Sequence, residues 1–162
     1  MASMFNVTWD VAPLTLDYID DNWGEFDESD NPSKPEKIRL VSEDEDGNPK
    51  KGWDPASYDY VLISENESRN VTPVDGPRET YNLSASVNVR ITTPKSRARR
   101  TAMWEELLLL ALKARKRRLE TPGNWDTMTL EPQTVPDDNF NFWLFEGAWL
   151  YEAKGRTGKL TI

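Results

Sequence analysis

The sequence predicts a single α+β domain over residues 1–162: a mostly antiparallel sheet packed against one long helix and a short N-terminal helix, with long polar loops. Three observations predict it. From Tyr81 to Ile91 the apolar side chains Tyr81, Leu83, Ala85, Val87, Val89 and Ile91 alternate with polar ones, the period of a strand with one dry face. Immediately after it, Arg97–Arg118 has the length of a helix, basic at both ends and apolar from Trp104 to Leu112. Hydrophobic residues are 37% of the chain and charged residues 30%, so the apolar material is concentrated in a few elements joined by polar connections. One core suffices for this length, burying about two thirds of the unfolded surface.

The elements follow in order. Leu14, Tyr18, Ile19 and Trp23 recur at helical spacing after Pro13, so Leu14–Trp23 reads as a helix with an acidic outer face of Asp17, Asp20 and Asp21, ended by Gly24. Residues 25–57 read as an extended acidic loop or hairpin. Within them Glu25–Pro35 lacks recurrent apolar residues, Lys37–Val41 has the pattern of a short strand, and Asp46-Gly47-Asn48-Pro49 is a turn signal in a charged stretch. Tyr58–Ile63 is a second β-rich run, and Glu65–Glu79 is a polar connection punctuated by Pro73, Gly76 and Pro77. The long strand closes at Thr92-Thr93-Pro94, and Ser96 is positioned to cap the helix. Thr121-Pro122-Gly123-Asn124 stops that helix, and Met128–Leu130 opens a strand limited by Pro132 and Pro136. Phe140, Phe142 and Leu144 alternate, the alternation slips at Phe145, and Gly147 follows, so a β-bulge or tight hairpin is expected before Ala148–Ala153. Residues 154–162 read as a C-terminal tail, a loose end or a strand that adds to a neighbour.

Composition excludes most chemistry. The chain has no cysteine and no histidine, which removes disulfides, thiolate metal sites and the commonest general base. No carboxylate pair stands out from the acidic background as an acid and base. Glu43-Asp44-Glu45-Asp46-Gly47-Asn48 lacks the ligand spacing of a calcium loop, since the twelfth residue from Asp44 is Pro55. Gly155–Leu160 has neither the glycine spacing nor the hydroxyl of a phosphate loop. We therefore expect no cofactor, no metal and no enzyme activity. Met1–Trp9 lacks the features of a signal peptide, and the longest apolar run, Leu107–Leu112, is too short to span a bilayer, so no membrane association is expected.

Charge is distributed unevenly. The net charge is −8, against general nucleic-acid binding, yet Asp17–Glu79 holds 18 acids against seven bases while Arg90–Leu119 holds ten bases against two acids. Such a dipole suits head-to-tail association of copies, and abundant carboxylates also suit a salt-rich setting. The basic ends of the long helix, Lys95, Arg97, Arg99 and Arg100 and then Lys113 to Arg118, admit two readings: contact with DNA phosphates, or pairing with carboxylates of a neighbouring subunit or of the same chain. Met103, Trp104, Leu107, Leu108, Ala111, Leu112 and Ala114 form its broad apolar stripe. Leu109 and Leu110 fall partly off that stripe and mark either a subunit interface or a deeply buried helix. The seven tryptophans are read as core and interface anchors.

The order of elements, carried by Leu14–Trp23, by Thr80–Ile91 leading through Pro94 into Arg97–Arg118, and by Phe140–Glu152, resembles the tail terminator or tail-completion (head–tail joining) proteins of long-tailed phages and archaeal tailed viruses. The resemblance covers most of the chain and is one of element order, without a residue motif; the long polar segment Glu25–Pro55 departs from the compact members. It implies a structural virion protein of the tail and neck, assembled in the host cytoplasm. Its copies would form a ring, commonly a hexamer, that caps the tail tube, joins it to the neck or connector protein, and lets genomic DNA pass without sequence-specific binding. It also implies subunit contacts near Arg97, Arg100, Leu109, Leu110, Arg115 and Arg118, with Phe142 and Trp149 from the terminal hairpin. The acidic loops would suit a halophilic virus. The alternatives are another neck or tail-tube protein, or a small nucleic-acid-binding protein that uses residues 95–118.

Overall fold

A computed structural model of the chain describes residues 7–24, 33–42, 53–74, 80–116, 121–133 and 142–156. Helix α1 (Val11–Asn22) is followed by β1 (Lys37–Val41), β2 (Tyr60–Val74), β3 (Thr80–Thr93), helix α2 (Arg97–Lys116), β4 (Thr127–Gln133) and β5 (Trp143–Arg156). The five strands form one mixed sheet in the order β1-β2-β3-β5-β4, in which β1 and β2 are parallel and the other neighbours antiparallel. This is an α+β arrangement. β4 therefore runs parallel to β3 with β5 between them, and α2 is the crossover that a parallel return requires.

Two helices, and not one long helix with a minor companion, supply the layer over the sheet. α1 runs over β1 and β2, whereas α2 runs over β4, β3 and β5. Val11, Ala12 and Ile19 of α1 share one core with Met103, Leu107, Leu110 and Ala111 of α2 and with the odd-numbered residues of β3 from Leu83 to Ile91. Ser96 caps α2 as expected, its Oγ accepting a hydrogen bond from the Arg99 backbone N–H at 3.0 Å. α1 starts at Val11, so Pro13 falls in its first turn, where a missing N–H costs nothing. Gly24 follows with φ +77°, a left-handed exit suited to glycine, and its N–H donates to the buried Glu106 carboxylate at 2.8 Å.

Several expectations give way. β1 pairs in parallel with β2, so these two strands form no hairpin; of residues 25–57, only 33–42 and 53–57 are among the described residues. β2 does not stop at Ile63. A register shift between Ile63 and Glu67 lets it continue to Val74, where nearly every side chain is exposed. A strand wet on both faces has no dry side to reveal it, so Glu65–Val74 reads as a loop. β5 runs unbroken from Trp143 to Arg156 against β3, with neither bulge nor hairpin near Glu146-Gly147. The alternation there is interrupted because Gly147 occupies an inward position beneath Trp104, where an added Cβ would come within 2.6 Å of the indole and 2.7 Å of the Glu131 carbonyl oxygen. The terminal pair is instead β4 with β5. Pro132 is tolerated because β4 is an edge strand. The turn at Asp46-Gly47, Phe140, and residues 157–162 of the tail lie outside the described residues.

Candidate subunit interface

The structure divides the four bases that open α2 into two pairs with different roles. Lys95 and Arg99 turn inward to Asp59, a fully buried carboxylate one residue before β2. Asp59 accepts hydrogen bonds from Thr93 Oγ1 at 2.5 Å, Lys95 Nζ at 2.9 Å and Arg99 Nε at 3.1 Å, while its backbone carbonyl accepts from the Lys37 N–H at 3.1 Å. Arg99 also donates to the Ser33 carbonyl at 2.6 Å. Burial alone would push the Asp59 carboxyl up. The three donors and the Arg99 charge outweigh that, holding it below the usual carboxylate value. This cluster ties the starts of β1, β2 and α2 to the end of β3, and together with Glu36, 3.7 Å from Lys95 Nζ, it offsets two cations that would otherwise oppose the helix dipole.

Arg97 and Arg100 turn the other way, onto the aromatic start of β5. The Arg97 guanidinium lies 5.1 Å from the Trp143 ring centroid, and that of Arg100 lies 3.9 Å from Phe145 and 5.9 Å from Trp143. Trp104 packs on Phe145 from behind, centroids 5.6 Å apart. Arg97 is exposed and Trp143 is 36% exposed, so the cluster is a surface feature with a rigid floor. On the helix-free face of the sheet, Arg90 pairs with Glu146 and stacks on Trp53 at 5.4 Å, and Phe142 meets the same indole edge-on at 5.4 Å.

The expected interface residues thus separate. Arg97 and Arg100 come together at one surface, Leu109 is half-buried, and Phe142 is half-buried against Trp53. Two assignments are corrected. Leu110 is completely buried and its carbonyl accepts the Tyr18 hydroxyl at 2.8 Å, because the inward stripe of α2 runs Met103-Leu107-Leu110-Ala111; Leu112, placed inward by the sequence reading, is 50% exposed. Trp149 is completely buried, its indole N–H directed at the Met128 sulfur at 3.4 Å, so it is a core residue. The side chain of Arg115, and Arg118 altogether, lie outside the described residues. Trp143, Phe145 and Asp59 were missed. Their partners lie 34 to 46 residues away along the chain, a separation that periodicity does not report.

Among the described residues no group of three or more acidic, His or Cys side chains is placed to hold a metal ion, and no helix is long and apolar enough to cross a membrane. A shallow depression of about 490 Å³ on the helix-free face is lined by Asn82, Ser84, Asp126, Thr127 and Glu152 among others. The Asp126 carboxylate there accepts the Lys154 backbone N–H at 2.9 Å, an ordinary strand-end contact. No protein-family model matches the chain, and no curated protein sequence matches it either.

Proposed function

We propose that this protein is a structural virion component, a tail terminator whose copies form a ring that caps the tail tube and joins it to the neck. Its work is stoichiometric: one face of the ring stops tube growth, the other binds the connector, and DNA passes through the lumen. The observation that carries this reading is the succession of a short helix, two strands, the long β3 and the crossover helix α2, which the resemblance implies, although the chain closes with the β4–β5 pair in place of the implied terminal hairpin. The distribution of surface features supports it. Exposed groups gather at the Arg97–Trp143 cluster and along the outer half of β2, surfaces that subunit contacts would use, whereas the buried ionic cluster at Asp59 is spent on holding the fold.

Light scattering at low and multimolar salt, with negative-stain images of any large species, tests the reading. A closed ring of about six copies is expected, as a head-to-tail contact with closing rotation produces. A monomer at every salt concentration would count against the ring, and a monomer that binds duplex DNA with an affinity falling steeply as salt is added would overturn the reading in favour of a nucleic-acid-binding protein.

A further inference from the structure

The exposed acids of α1 and the exposed Arg97 of α2 lie on different flanks of the helix layer. α1, over β1 and β2, presents Asp17, Asp20 and Asp21 to solvent. Asp20 pairs with Lys34, whereas Asp17 and Asp21 enter no ion pair among the described residues. Across the layer, Arg97 stands on Trp143 and likewise enters no ion pair among the described residues. The contact of Gly24 with Glu106 places the end of α1 nine residues along α2 from Arg97, about 13 Å at 1.5 Å per residue. That exceeds the Debye length of about 8 Å at physiological ionic strength, so this separation leaves little attraction within one chain.

A contact of two different patches, on different flanks, is what generates a ring; a patch meeting its own copy would here set cation against cation. The cationic side is prepared for contact. Stacking on Trp143 and Phe145 orders the guanidinium groups in advance, which reduces the entropy lost on binding, and Arg beside Trp is the composition that dominates interface energies.

We propose that Arg97, with Trp143 beneath it and Arg100 beside it, receives the acidic face of α1, Asp17 and Asp21, from a second copy of this chain. The inference rests on the ring-forming reading and names the two faces that meet.

Because the chain has no cysteine, single cysteines at the exposed positions Ala98 and Asp20 report the contact. One preparation carries Ala98→Cys and the other Asp20→Cys, and a short bis-maleimide joins them. A cross-linked dimer between positions 98 and 20 is expected. Adding Arg97→Glu to the first chain should lower its yield about tenfold, since like charges then oppose each other. Adding Asp17→Lys and Asp21→Lys to the second chain should restore it. Arg97→Glu is safe for folding, because an acid at the first helical position favours the dipole; Arg97→Gln serves as a second variant with a smaller loss. Equal yields with and without Arg97→Glu would overturn the proposal, as would failure of the reversed acids to rescue. Rings that persist in Arg97→Glu would overturn this surface and leave the ring reading standing. A cross-link that obeys the charge exchange in a protein that forms no ring would keep the surface and overturn the ring.

Discussion

Replacing Asp59 with alanine removes the acceptor of three side-chain hydrogen bonds at a site with no solvent exposure. The cost follows from what remains. The Arg99 side chain is 13% exposed and loses its charged partner, whereas Lys95 is 53% exposed and turns to water. Removing one partner of a buried pair costs about 3 to 5 kcal/mol, and the half-exposed lysine adds little, so about 3 kcal/mol is expected. For a domain of this size that lowers the thermal midpoint by about 6 to 12 °C. Asp59→Asn, which retains the shape and one acceptor, should lose less. The assay is urea unfolding followed by tryptophan fluorescence, repeated from pH 7 to pH 3. The sign follows from the lowered folded pKa: the contribution of Asp59 is fully present above the unfolded value near 3.8 and is lost as pH falls through the lower folded value. The gap between wild type and Asp59→Asn should therefore narrow below about pH 4. A loss under about 1 kcal/mol at pH 7, or a gap indifferent to pH, would refute the view of this cluster as a clamp.

Three further outcomes are expected. Leu110→Ala should cost about 2 to 5 kcal/mol in the same unfolding assay and Leu112→Ser less than about 0.5, which tests the corrected stripe of α2; equal losses would argue for the original stripe. Gly147→Ala should destabilise by about 1 to 3 kcal/mol, because the new methyl meets the Glu131 backbone, which cannot yield as a side chain can; an unchanged thermal midpoint would count against the close packing of Trp104. Tyr151 is buried with its hydroxyl 2.7 Å from Thr15 Oγ1, and burial is the main cause that raises its pKa above 10. That contribution is present below the unfolded value near pH 10 and is lost as pH rises beyond it, so Tyr151→Phe should cost about 1 kcal/mol at pH 7 and flatten the alkaline fall between pH 9 and 11. Identical alkaline slopes in the two proteins would exclude this role.

Legibility in the sequence tracked how one-sided each element is. β3 alternates because Leu83, Ala85, Val87, Val89 and Ile91 face the helices while Asn82 and Asn88 face water. α2 was legible in extent and cap but less so in facing, since apolar residues nearly encircle it and the choice of Leu110 over Leu112 depends on where α1 lies. The outer half of β2 was illegible for the opposite reason, being polar on both faces. Of the interface candidates, Arg97 and Arg100 reached one surface, but the aromatic floor that orders them had to be found in three dimensions.

By itself the sequence determined the local matters: which segments have one dry face, where α2 is capped, that Gly24 ends α1, and that histidine and cysteine chemistry is absent. These follow from periodicity and from the conformational limits of single residues, which neighbours a few positions away report. The tertiary structure decided that β1 joins in parallel, that Trp149 is core, that Lys95 and Arg99 neutralise Asp59, and that Arg97 and Arg100 rest on Trp143 and Phe145. Those pairings join residues tens of positions apart, and a charge or ring has no local pattern that names its partner; only the packing of the two helices on one sheet selects which cations are buried and which remain at the surface.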